Sequence, residues 1–167
     1  MSAKDHRDTA VTRVACAVVT ISDTRTEATD RSGDLIAARL EAAGHQVAIR
    51  HLVRDDPEAI RLLIESHVAA PGVDAVITTG GTGITSRDGT FEVVSSLIER
   101  PLPGFGELFR MLSYEQVGAA AMLTRACAGV AGPVVIFALP GSEAAVTLAM
   151  DRLIVPELGH VLRELRR

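Results

Sequence analysis

Four aspartates, Asp23, Asp55, Asp56 and Asp88, stand in polar turns after apolar runs or near the glycine run Thr79-Gly80-Gly81-Thr82-Gly83. Closely spaced glycines leave backbone N–H groups open, so an anion such as a phosphate can approach the main chain. Carboxylates beside phosphates commonly hold Mg2+, which keeps several waters and takes only one or two protein oxygens. Each aspartate also has a structural role to weigh. Asp56 precedes Pro57 and reads as a helix N-cap. Asp23 can close a turn on nearby backbone. Asp88 can cap as well, although its place beside the glycine run weakens that reading. Asp55 has no evident capping duty and is the more suggestive of the adjacent pair.

Other chemistry is poorly represented. The only lysine is Lys4, so a Walker-type loop ending in Gly-Lys-Ser/Thr is excluded. The five histidines are scattered at positions 6, 45, 51, 67 and 160 without zinc-site spacing, and His51 reads as packed or solvent-facing. Cys16 and Cys127 sit among small apolar residues and read as structural thiols. Ser113 and Thr124 are hydroxyls in apolar neighbourhoods, and Arg125, if buried, needs an anionic partner, either a carboxylate or a ligand phosphate. No Ser–His–Asp or Cys–His arrangement is legible. A nucleophile that is already an anion would need none, only charge neutralisation and alignment.

The elements that must position these residues alternate. Apolar runs Val14–Ile21, Gln46–Val53, Val73–Thr78 and Val134–Leu139 read as strands, and each ends in small, hydroxyl or acidic residues: Ser22-Asp23, Asp55-Asp56, the glycine run, and Pro140-Gly141-Ser142. Between them lie helical patterns. One runs from a cap at Asp30 or Ser32 to Ala43, one starts at Asp56-Pro57, one is Phe91–Arg100 capped by Thr90, and one spans Phe105–Gln116. Ala119–Val130 reads as irregular or short strands, Ser142 caps a helix to Asp151, and Leu153–Leu165 closes the chain with an interruption near Pro156. Strand–helix alternation predicts an α/β fold with a largely parallel sheet. In such a sheet the ligand crevice lies beyond the carboxyl ends of the strands, where all four polar turns fall.

The length of 167 residues suits one domain. Residues 1–12 are polar and predicted to form a flexible tail, with residues 13–167 as a single domain. No apolar stretch approaches the roughly 20 residues that span a bilayer, and no signal-peptide core is present, so a cytoplasmic location is expected. A net charge of −4 argues against a nucleic-acid surface. Phe105–Gln116 is apolar around much of its girth and holds three of the five aromatic residues, consistent with either a buried helix or a subunit contact.

The segments Val19–Asp23 (VTISD), Asp30–Gly33 (DRSG), Thr78–Gly83 (TTGGTG), Gly104–Gly118 (GFGELFRMLSYEQVG) and Ile136–Ser142 (IFALPGS) resemble the MoaB/Mog family of molybdenum cofactor biosynthesis proteins, most closely its bacterial MoaB branch. The resemblance implies a three-layer αβα sandwich that binds molybdopterin and, in catalytic members, adenylylates it with Mg-ATP. It implies Asp55 and Asp88 as catalytic, Mg2+-holding carboxylates. It implies substrate contacts from Ser22, Asp23, Gly80, Gly81, Thr82, Gly83, Ser113, Thr124, Arg125, Pro140, Gly141 and Ser142. Its oligomers are trimers paired into hexamers, placing Phe105, Phe109 and Met111 near a subunit contact, and partners among other proteins of the pathway are expected. The chain departs from the family pattern at Phe91, where proline is usual, at Thr124-Arg125 in place of Ser-Arg, and at Ser142-Glu143 after the Pro-Gly turn. The alternative is a pterin-binding or scaffolding protein without turnover, for which the acid pair would have no purpose.

Overall fold

Alternation along the strands sends successive side chains to opposite faces of one sheet, and the two faces are covered by different helices. A computed structural model describes residues 11–167. Its strands are β1 (Ala15–Ile21), β2 (Gln46–Val53), β3 (Ala75–Thr79), β4 (Arg100–Pro101), β5 (Cys127–Ala131) and β6 (Val134–Leu139), in the order β2-β1-β3-β6-β5-β4. β1 pairs in parallel with β2 and β3, and β3 with β6. β5 runs antiparallel to both β6 and β4.

The helices are α1 (Arg31–Ala42), α2 (Pro57–Ala69), α3 (Thr90–Leu97), α4 (Pro103–Val117), α5 (Glu143–Ala149) and α6 (Val155–Leu165). On one face, Cys16 and Val18 of β1, Ile77 of β3 and Phe137 of β6 pack against Ile36 and Leu40 of α1, Phe109 of α4 and Leu158 and Leu162 of α6. On the other, Ala17, Val19 and Ile21 of β1, Val76 of β3 and Ile136 of β6 meet Ile60 and Ile64 of α2 and Val93 and Val94 of α3. This is the expected three-layer αβα sandwich. Each large aliphatic side chain buried in it stabilises the fold by about 1.5–3 kcal/mol.

Helix starts follow local chemistry. The Asp30 carboxylate accepts from Gly33 N–H at 3.0 Å, and Asp56 accepts from Ala59 N–H at 2.8 Å ahead of Pro57. Ser142 Oγ accepts from Ala145 N–H at 3.2 Å. Several boundaries shift by one or a few residues from the sequence reading, and three stretches differ in kind. Thr90 lies inside α3 rather than capping it, and α3 stops at Leu97 because Arg100-Pro101 is taken up by pairing with β5. The segment 119–130 becomes a 3-10 turn, Gly118–Leu123, followed by β5, whose small residues had masked any period. Around Pro156 the chain does not break: α5 widens through a π turn, Met150–Ile154, directly into α6. A wider turn accommodates the missing proline N–H without ending the helix.

Residues 1–10 of the expected tail lie outside the described residues, and Val11 N–H donates to Gly159 O at 3.1 Å. Among the described residues, no helix is long and apolar enough to cross a membrane.

Candidate active site at the switch point of the sheet

β1 sits between β2 and β3, so the connections leaving β1 and β3 part company at their carboxyl ends. That divergence opens the crevice in which open α/β sheets place their ligands. The glycine loop after β3 forms its floor. Gly80 (φ +106°) and Gly81 (φ +67°) both occupy left-handed backbone, which a side chain would strain. Space forbids a side chain as well. A Cβ on Gly80 would run into the Ile21 carbonyl at the end of β1, and one on Gly81 would run into Thr90 Oγ1.

Both acid candidates lie against this loop. Asp55 Oδ2 would be 3.2 Å from a Cβ on Gly81, and Asp88 Oδ2 would be 2.8 Å from one on Gly83. The two carboxylates are held differently. Asp88 Oδ2 accepts from Thr85 Oγ1 at 2.6 Å and from Thr85 N–H at 2.8 Å. Chiefly through the Thr85 hydroxyl, with help from backbone N–H groups and Arg125, its carboxyl is held below the usual carboxylate range. Asp55 is pushed the other way, first by burial and then by the negative charges of Asp88 and Asp23, with the nearby Gly89 N–H and Arg87 opposing part of the rise. Its Oδ1 is buried without a hydrogen-bond partner.

An unsatisfied, partly buried carboxylate oxygen beside two like charges is the environment that a divalent cation relieves. Two carboxylates meet what Mg2+ asks of a protein, since water and phosphate supply the rest of its shell. Among the described residues no group of three or more side chains is arranged to hold a metal. The donor set therefore fits Mg2+ carried with a phosphate ligand better than a closed protein cage.

Asp23 joins the acids from the β1 side. Its Oδ1 accepts from Asp55 N–H at 3.3 Å and its Oδ2 pairs with Arg87. It does not form the local turn that its sequence context also allowed. Ser22 performs that task, accepting from Thr24 N–H and Arg25 N–H. Pro140-Gly141 flanks the glycine loop from β6: a Cβ on Gly141 would be 3.4 Å from Gly80 Cα. The carbonyls of this turn are pinned by Thr79 Oγ1 to Pro140 O (3.0 Å), Arg25 Nη2 to Gly141 O (2.7 Å) and Ser32 Oγ to Gly141 O (2.8 Å).

Thr82 is buried, and its carbonyl accepts from Arg125 N–H at 3.0 Å. Thr124 Oγ1 is buried without a partner, as is Thr90 Oγ1 under the loop. Arg125 finds its anion in Glu92, the carboxylate option of the sequence reading, and also reaches the carbonyls of Gly83 and Asp88. Ser142 is engaged as the cap of α5. Ser113, half-buried on α4, enters none of these contacts.

Sequence reasoning missed Thr85, Arg87, Glu92 and Thr90. The Thr85-x-x-Asp88 spacing is a recognisable local hydrogen-bond signature, whereas the Arg87 and Glu92 pairings span 64 and 33 residues and follow only from the fold.

A doubly wound sheet with a glycine loop and carboxylates at its switch point defines an α/β protein with a ligand crevice at the strand ends. Residues 17–160 match the family model described as a probable molybdopterin binding domain. A Bacillus cereus relative called molybdenum cofactor biosynthesis protein B is 51% identical over 168 residues, covering 100% of this chain and 99% of its own. The crystal structure of a molybdenum cofactor biosynthesis protein B superposes with a TM-score of 0.90 at 52% identity, covering 93% of this chain and 97% of that one. The tungsten cofactor synthesizing protein MoaB from Pyrococcus furiosus gives 0.82 at 40% identity, covering 93% and 98%. The chain belongs to the MoaB family of molybdenum cofactor biosynthesis proteins, with its molybdopterin-binding domain.

Proposed function

We propose that this protein adenylylates molybdopterin: the pterin's terminal phosphate oxygen attacks the α-phosphorus of ATP, the bond to the β-phosphate oxygen breaks, and pyrophosphate leaves. The observation that carries the reading is the unpartnered buried Oδ1 of Asp55, set with Asp88 against a glycine loop. A protein that only bound a pterin would have no need of two carboxylates, Asp55 and Asp88, set against one glycine loop.

The attacking phosphate is anionic, so no general base is required. Gly80 N–H is committed to Leu139 O at 2.9 Å, so the amides of Gly81–Gly83 hold the phosphate against the end of β3, where the Gly80 and Gly81 conformations leave the main chain uncovered. Asp55 and Asp88 would hold Mg2+. When bound, the ion supplies neutralisation of charge on the reacting phosphates. Thr85 fixes the Asp88 carboxylate through two hydrogen bonds, which keeps it ionised and oriented.

The assembly proposed is a cytoplasmic homo-hexamer, a dimer of trimers, acting beside other proteins of the pathway. Supporting it, Leu108, Met111, Tyr114 and Val117 recur at three-residue spacing along α4, and Met122 follows, all exposed. Phe109, by contrast, is buried in its own core, and Phe105 packs on Phe109 and Phe137, so the contact face is expected to be the Leu108–Met111–Tyr114 side.

Incubation with molybdopterin and Mg-ATP tests the reaction. Adenylyl-molybdopterin and pyrophosphate are the expected products. Pterin binding with no product would mark a binding or scaffolding protein instead.

A further inference from the structure

The side chain of Arg125 is already committed. A guanidinium offers five N–H donors. Nε and Nη2 both donate to Gly83 O, at 2.9 and 2.6 Å, and Nη2 also donates to Asp88 O at 3.1 Å. Nη1 pairs with Glu92 of α3. The guanidinium carbon stands 5.0 Å over the Phe91 ring. Four of the five donors are thereby engaged, and the two carbonyls they hold bracket the segment that presents Asp88.

We propose that Arg125 is a positioning residue: it clamps the 83–88 loop so that the Asp88 carboxylate faces the glycine-loop phosphate site, and it is not a ligand of the substrate phosphate. A bidentate grip on a phosphate would require releasing at least one of the carbonyls. The main chain of the same strand entry is tied in as well, through Arg125 N–H to Thr82 O at 3.0 Å. Glu92 completes the clamp by fixing the free end of the guanidinium to the first turn of α3. The Phe91 ring under the guanidinium carbon adds a further wall.

This rests on the reading of Asp88 as a carboxylate for Mg-nucleotide, so the experiment has one arm that needs no turnover. Amide hydrogen exchange at Thr85, Asp88 and Thr90 is compared in the wild type, Arg125→Lys and Glu92→Gln. These three N–H groups donate to Asp88 Oδ2, Thr85 O and Gly81 O within and beside the clamped loop. Lysine cannot bridge two carbonyls and Glu92 with planar geometry. Exchange in Arg125→Lys is expected to be at least about tenfold faster, the effect of losing one charge-assisted bond, with a smaller change of the same sign in Glu92→Gln. In the turnover arm, the Mg2+ concentration for half-maximal adenylylation rises in both variants and the KM for molybdopterin stays within about twofold.

Unchanged exchange together with a raised KM for molybdopterin would overturn the proposal and make Arg125 a substrate ligand. If the wild type forms no adenylyl-molybdopterin, the exchange arm alone decides: faster exchange supports the clamp and unchanged exchange overturns it, whatever becomes of the proposed reaction. If Arg125→Lys fails to fold, the same decision is read from Glu92→Gln.

Discussion

Arg87 Nη2 lies 2.5 Å from Asp23 Oδ2, tying the turn after β1 to the loop that follows the glycine run. Asp23 also accepts the Asp55 N–H, so one carboxylate links three strand-end loops around the crevice. Arg87 is the cation that counteracts the crowding of Asp23 and Asp88 on Asp55. Replacing it with alanine is expected to raise the Asp55 pKa further. A protonated Asp55 cannot hold a cation, so the acidic limb of the pH–activity profile should move to higher pH in Arg87→Ala. The pair is solvent-exposed on the Arg87 side and worth at most about 1 kcal/mol, so thermal stability should fall by no more than about 4 °C.

The two site aspartates should have opposite effects on stability without ligand. Asp88 has a lowered folded pKa, so its ionisation stabilises the fold above the unfolded pKa, and that stability is lost as pH falls through the folded value. Asp55 has a raised folded pKa, so stability falls as pH rises from the unfolded toward the folded value and stays reduced above it. Thermal denaturation at pH 7 without Mg2+ should therefore place Asp55→Asn at or above the wild type and Asp88→Asn below it. At a pH below both carboxyl ranges these differences should largely vanish.

Gly81→Val is expected to abolish tight pterin binding. Left-handed backbone costs a β-branched residue more than the roughly 1–2 kcal/mol typical of other L-residues, and the new side chain would meet Thr90 and approach Asp55. None of the groups that a side chain on Gly81 would meet lies on α4, so size-exclusion chromatography with light scattering should show the same oligomer as the wild type. Pterin affinity equal to that of the wild type would reduce the loop to a tight turn.

Assembly has its own test. Met111→Glu combined with Tyr114→Glu places charges on the exposed side of α4 without touching Phe109 or Leu112 beneath it. Light scattering at micromolar concentration should show the wild type as a hexamer and this variant as smaller species. A monomeric wild type would remove the assembly proposal.

The sheet was legible because its strands are apolar runs whose alternation and polar ends survive in the sequence: β2 and β6 begin and end where the pattern put them. Asp56 and Ser142 were equally plain, because N-capping is a contact across three residues, and of the two caps open for α1, Asp30 or Ser32, the structure takes Asp30. β4 and β5 were not, since Arg100-Pro101 is too short to carry a period and Cys127–Ala131 is built of small residues that suit any element. The site divides the same way. The glycine loop and acids could be read from composition and position. The pairing of Arg125 with Glu92, of Arg87 with Asp23 and the stranded Oδ1 of Asp55 could not, because each depends on how distant loops converge at the switch point.

The most direct test of the proposed chemistry is the rate of adenylyl-molybdopterin formation, at saturating molybdopterin and Mg-ATP, in the wild type, Asp55→Asn, Asp88→Asn and the double variant. Both substitutions are nearly isosteric, and each removes charge from a single ion site. Groups that stabilise developing charge commonly contribute on the order of 10²–10³ in rate, so each single variant should lose about that much, with molybdopterin affinity little altered. The carboxylates act through one ion, so the double variant should be scarcely slower than either single one. Equal rates in all four proteins would contradict the assignment and leave Asp55 and Asp88 as structural residues of a binding protein.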